Sequence, residues 1–219
     1  SDLVANITAL GTPATFCQYF DYESPRDLNP QVQTGWGATD PMTAVTEFDY
    51  AYDTQARRQT AGLSGLAFAD YYSEASITPV YDFYSYDAQG QLQTASMFRG
   101  TPAASGVPSS TDELPGRRFE YRYDNFGNRT TSGPADPSSD SAGANDAYTT
   151  TNRGDLDQYD SRQNNTVRIL GNAAPTATVA ASKASVVKLD RNFAATVIPS
   201  NGSGPVQGTV TLSATLITD

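Results

Sequence analysis

Phe119-Glu120-Tyr121-Arg122-Tyr123-Asp124-Asn125-Phe126-Gly127-Asn128-Arg129 is the stretch that decides the fold. Side chains alternate along a strand, so Tyr121 and Tyr123 fall on one face of it. Asp124 then opens a turn that Gly127 closes. An Asp at the first position of a type I turn accepts hydrogen bonds from the backbone ahead of it. A Gly at the fourth position takes the left-handed conformation that completes a hairpin with a bulge. The stretch therefore reads as strand, turn and return strand.

The same unit recurs upstream. Phe83-Tyr84-Ser85-Tyr86-Asp87-Ala88-Gln89-Gly90 repeats it closely, and Phe48-Asp49-Tyr50-Ala51-Tyr52-Asp53-Thr54-Gln55-Ala56 repeats it with Ala at the Gly position. A weaker copy is Phe20-Asp21-Tyr22-Glu23. The last aromatics, Tyr22, Tyr52, Tyr86 and Tyr123, are 30, 34 and 37 residues apart. A recurrence at roughly this spacing signals a repeat architecture. The motif residues are Tyr50, Tyr52, Asp53, Tyr84, Tyr86, Asp87, Gly90, Tyr121, Tyr123, Asp124, Gly127 and Arg129. Their first reading is structural, since tyrosines on neighbouring strands pack against one another. A Tyr ladder left exposed is instead suited to sugar rings or a partner surface.

This Tyr-x-Tyr-Asp-x-x-Gly pattern resembles the YD-repeat, or RHS-repeat, family. Tyr123-Asp124-Asn125-Phe126-Gly127-Asn128-Arg129 carries the resemblance best, and Tyr148 to Tyr159 is similar to a degenerate closing unit. The likeness covers about residues 1–163. It implies large secreted or surface proteins whose hairpins wind into a continuous β-sheet shell, in some members around a toxin. Four or five hairpins are too few to close such a cavity, so assembly with further copies is the expectation.

Composition changes near residue 163. All 13 Tyr precede position 160. Residues 1–166 hold 22 Asp and Glu against 10 Arg, whereas residues 167–219 hold two acids against four bases, including both lysines. Two domains follow from this shift: residues 1–163 as a hairpin array, and residues 164–219 as a small Ig-like β-sandwich. Short strands are expected at 167–170, 176–180, 186–189, 193–198 and 208–218. Phe193, Ala195 and Val197 form one inward set, and Val210, Leu212, Ala214 and Leu216 another. The expected fold class is all-β, a curved antiparallel sheet of hairpins followed by that sandwich.

Much chemistry is excluded by what the chain lacks. It contains no His, which removes Ser-His-Asp, Cys-His and His-metal sites. Its single Cys, Cys17, precludes an internal disulfide and reads as a small buried hydrophobe. The net charge of −10 repels a phosphate backbone, so no nucleic-acid partner is expected. No apolar run is long enough to insert into a membrane. Ser1 reads as a processed end or as the boundary of an excised segment. Asp155, Asp157 and Asp160, like Asp136, Asp140 and Asp146, lack the spacing of a calcium loop and read as solvated acids. Nothing selects two of the acids as a glycosidase pair. Arg57-Arg58 and Arg117-Arg118 are expected to pair with neighbouring acids. Sequons at Asn6, Asn128, Asn164 and Asn201 are open to glycosylation where the source has the machinery.

The expectation is a non-enzymatic structural protein, extracellular or at the cell surface, with no metal and no cofactor. Its expected partner is itself, as an oligomer, fibre or larger shell. A carbohydrate-binding adhesion module and a piece of a toxin-encapsulating shell are the alternatives.

Overall fold

The computed structural model describes residues 3–9, 15–24, 26–37, 43–71, 79–102, 106–134, 146–149, 161–163, 167–197 and 208–216. Within them the chain is all-β and every strand pairing is antiparallel. Two short 3₁₀ turns, Leu66–Tyr71 and Ser110–Asp112, are the only helical segments among the described residues. None is long and apolar enough to cross a membrane. The Val-, Thr- and Tyr-rich composition favours this outcome, because such side chains pack on a pleated surface.

Two compact units divide the chain. The first comprises Ser1–Tyr84 and Met97–Asp112, the second Ser85–Ser96 and Glu113–Asp219.

In the first unit, β1 (Asn6–Ala9), β2 (Phe16–Glu23), β3 (Leu28–Trp36), β4 (Thr43–Tyr52), β5 (Arg58–Ser64) and β6 (Val80–Tyr86) pair in sequence order. Such nearest-neighbour pairing is what short connections dictate. Cys17 and Val80 are each only 1% exposed, and Ala61, Tyr81 and Phe98 are buried with them. Phe98 stacks on Tyr81 with ring centroids 5.6 Å apart and meets Phe83 edge-on at 6.4 Å. After β5 the chain turns at Gly65, whose φ is +99°. A Cβ there would lie 2.7 Å from the Val45 carbonyl oxygen, so only Gly fits.

In the second unit, β8 (Glu113–Tyr123), β9 (Arg129–Pro134), β10 (Asp146–Thr149) and β11 (Ser161–Gln163) also pair in order. The intervening β7 spans Leu92–Arg99, and its residues belong to both units. Two small sheets follow. One has the order β12 (Val167–Asn172), β15 (Asn192–Val197), β14 (Ser185–Leu189); the other pairs β13 (Ala177–Ala181) with β16 (Leu212–Leu216).

This division runs along a different line from the compositional shift at residue 163. The C-terminal strands share a unit with β8 because β14 and β15 pack against it. Gly116 makes that approach possible: a Cβ on it would collide with Leu170 and sit 2.8 Å from the Ala194 methyl. Its φ of +73° is a second reason for Gly.

The strand pattern also differs in two places. Phe193, Ala194 and Ala195 are all buried, rather than alternate residues alone. β15 is the central strand of its sheet and is also packed by β8. Every residue of β16 is exposed, including Leu212 and Leu216, so the expected inward set there is not formed.

Candidate functional site

The turn after each Tyr-x-Tyr strand has one construction. Asp53, Asp87 and Asp124 each accept a hydrogen bond at the main-chain oxygen from the residue three ahead, Ala56, Gly90 and Gly127, at 3.0–3.1 Å. Each also donates its own amide to the carbonyl four ahead at 2.9 Å. The carboxylate oxygen Oδ1 then accepts two more amides. For Asp53 these come from Gln55 and Arg57 at 2.9 Å. For Asp87 they come from Gln89 and Gln91 at 3.0 and 2.8 Å. For Asp124 they come from Phe126 and Asn128 at 2.9 Å. One short side chain thus satisfies the amides that a tight turn would otherwise leave to water.

The fourth turn residue is left-handed in all three: Ala56, Gly90 and Gly127 have φ of +62°, +83° and +89°. The ladder bulges just before the turn, between Ala51 and Tyr52 and between Arg122 and Tyr123. The weakest copy turns differently. There Glu23 pairs with Leu28, Asp27 donates its amide to the Glu23 carbonyl, and Asp27 is the residue with positive φ, +52°.

Beyond the turn, an Arg reaches back over the first Tyr. Arg58 stands opposite Tyr52, yet its guanidinium lies 4.0 Å from the centre of the Tyr50 ring. Arg129 stands opposite Tyr123 and lies 5.1 Å from the Tyr121 ring centre. Each pair sets a cation against the electron-rich ring face. The corresponding position after Asp87 is Leu92, an uncharged residue. All six tyrosines of the three copies are half-buried. Burial raises the Tyr50 hydroxyl pKa, against the lowering effect of Arg58.

The turn carboxylates are held as anions. Burial opposes ionisation of Asp53, but the Arg57 and Gln55 amides and the Arg57 guanidinium outweigh it and bring its pKa below the usual carboxylate range. Asp124 is lowered in the same way, with the Asn128, Phe126 and Gly127 groups overcoming burial. The ion pairs expected around the Arg pairs include Arg57 to Asp53 at 2.7 Å and Arg118 to Glu120 at 2.8 Å.

Arg118 belongs to a second feature, which lies wholly in the second unit. Its Nε and Nη2 both donate to Glu120 Oε1, at 3.0 and 2.8 Å. Its Nη1 lies 3.6 Å from Glu113 Oε2. The Glu113 side chain is 3% exposed, and its Oε1 has no hydrogen-bond partner among the described residues. Burial raises the Glu113 pKa, Arg118 and Arg168 pull it down, Glu120 pushes it up, and the net shift is upward.

Beside this cluster lies an open cleft of about 660 Å³. Its walls are Asp87, Gln93, Thr94, Arg118, Glu120, Tyr121, Arg122 and Tyr123. Arg118, Glu120 and Arg122 alternate along β8 and form its charged wall. Sequence reasoning identified Asp87, Tyr121 and Tyr123 as motif residues but gave no role to Gln93, Thr94, Glu120 or Arg122. Only the adjacency of β7 and β8 residues in three dimensions brings them together.

Of the sequons, Asn6 is exposed in β1. Asn128 lies in the turn, where its Nδ2 donates to Asp124 Oδ2 at 3.1 Å. Asn164 and Asn201 lie outside the described residues, as do Asp136, Asp140, Asp155, Asp157 and Asp160. Among the described residues no cluster of three or more acids or cysteines could hold a metal ion.

No known protein-family model matches this chain, and no curated protein matches it either.

Proposed function

We propose that this chain is a non-enzymatic, extracellular structural protein: a scaffold of YD-type hairpins that self-associates into a fibre or larger shell. The observation that carries the reading is the identical carboxylate lock at Asp53, Asp87 and Asp124, 34 and 37 residues apart. Chemistry-bearing sites seldom recur with such regularity, whereas load-sharing repeats do, because each unit must bury its face against the next. On this reading the hairpins form a curved sheet, and the small C-terminal sheets form an Ig-like module against it.

Self-association is supported by apolar side chains exposed on strands, among them Ile7, Val187, Leu212 and Leu216. Strand edges and exposed apolar groups together favour pairing between chains. Negative-stain electron microscopy and light scattering on purified, untagged protein test this. Filaments or closed particles are the expected result. A monomer of 23.3 kDa persisting at high concentration would remove the assembly part of the proposal.

A further inference from the structure

The cleft on the charged wall of β8 combines two kinds of polar group. One kind already has partners. Arg118 and Glu120 hold each other, Asp87 is held by its turn, and Thr94 shares a 2.6 Å hydrogen bond with Ser85. The other kind is open. Arg122 and Gln93 line the same cleft, and the side chain of neither has a hydrogen-bond or ion-pair partner among the described residues. Arg122 is the sharpest case. Its neighbour on the wall, Arg118, is neutralised by Glu120 and Glu113, whereas the exposed Arg122 has no side-chain partner among the described residues.

The chemistry of the open groups defines a ligand. A guanidinium fork matches a carboxylate with two parallel hydrogen bonds. Gln93 offers one acceptor and two donors. A ligand bearing one carboxylate among several hydroxyls satisfies both. The volume, about 660 Å³, falls within the range of small-molecule sites. Its walls are charged and polar rather than apolar, which favours a hydroxylated ligand over a lipid or an aromatic one. Long anionic polymers are disfavoured by the net charge of −10, but a single carboxylate feels the local fork within a Debye length.

We propose that this cleft binds an acidic sugar residue of the uronic acid class, with its carboxylate on Arg122 and a hydroxyl on Gln93. The proposal adds a ligand site to the scaffold and stands whether or not the chain assembles.

The test is isothermal titration of the full chain with a galacturonic acid trisaccharide, its neutral galactose counterpart and a tetraglutamate peptide. The uronate should bind with millimolar or better affinity. The neutral sugar should bind at least about tenfold more weakly, as expected for loss of a charge-assisted bidentate contact. Arg122→Ala should lose the same factor, and Arg122→Lys should restore only part of it. Gln93→Ala should weaken the uronate without restoring the neutral sugar. Absence of uronate binding would overturn the proposal, as would unchanged binding by Arg122→Ala. Tetraglutamate binding as well as the uronate would also overturn it, because the site would then read charge alone. Arg122 and Gln93 are both exposed, so unfolding is not expected to confound these variants.

Discussion

Ala56 occupies a position that Gly fills in the two later hairpins, and this provides an internal test of the turn reading. Its φ of +62° places it in the left-handed region, with Gly90 at +83° and Gly127 at +89° in the equivalent turns. A non-Gly residue there carries about 1–2 kcal/mol of steric penalty. Gly relieves it but loses about 0.4–1 kcal/mol more backbone entropy on folding. The net expectation for Ala56→Gly is therefore a gain of roughly 0.5–1 kcal/mol. Gly127→Ala should lose a similar amount, again roughly 0.5–1 kcal/mol. The added methyl would meet nothing closer than Gln91 Oε1 at 3.8 Å, an ordinary contact, so only the backbone term should appear. For a cooperative unit of this size the change corresponds to a Tm shift of about 2–5 °C, upward for the first variant and downward for the second. Thermal unfolding followed by circular dichroism reads both. A lower or unchanged Tm for Ala56→Gly, with Gly127→Ala harmless, would refute the assignment of one turn geometry to all three hairpins.

Other consequences are as direct. Asp87→Ala removes the acceptor for the Gln89 and Gln91 amides, and should cost about 1–2 kcal/mol in urea unfolding, with Asp87→Asn largely tolerated. Asp53 and Asp124 have depressed folded pKa values, so their stabilisation is present above the unfolded carboxylate pKa and is lost as pH falls through the folded values. A Tm–pH profile of Asp53→Asn with Asp124→Asn should lack that acid limb. Glu113 has the opposite sign: its folded pKa is raised, so its contribution is most favourable below the unfolded pKa and is lost as pH rises through the folded one. Glu113→Gln should therefore raise Tm at neutral pH and change it little at pH values below the unfolded pKa. Because the Asn128 amide is held by Asp124, expression in a glycosylating host should leave Asn128 unmodified by peptide mapping.

The part of this molecule legible in its sequence is the part governed by local rules. Tyr-x-Tyr alternation and Asp-x-x-Gly turns involve residues within five positions of one another, so their hydrogen bonds can be read from spacing alone. Sequence reading aligned Ala56 with the Gly position of the later turns, and its φ of +62° is left-handed as theirs are. The association of β8 with the C-terminal strands was not legible. It depends on Gly116 admitting Leu170 and Ala194, residues 54 and 78 positions further on. Composition divides the chain near residue 163, but packing does not follow composition. β16 misled for a related reason: alternation marks one face as apolar, yet nothing in the described residues covers that face.

That Arg118 pairs with nearby acids was expected from sequence, but the character of its cluster with Glu113 and Glu120 was not legible. Its three members occupy eight consecutive positions, so spacing was not the obstacle. What sequence cannot supply is burial, and burial decides what such a cluster does. An exposed Arg with two acids nearby would contribute little. With the Glu113 side chain 3% exposed and that of Glu120 10%, the same residues form a partly satisfied ionic network. Such networks are weak contributors to stability, and apolar replacements of like volume often do as well. Stability is therefore a poor account of this one. Its geometric effect is clearer: by holding Arg118 on two carboxylates, it fixes one end of the charged wall and leaves Arg122 as the cleft cation without a side-chain partner among the described residues. Glu120→Gln should separate the two effects. If the network acts only through stability, Tm alone moves. If it shapes the cleft, Arg118 loses its fixed position, and the preference for an acidic over a neutral trisaccharide changes with it.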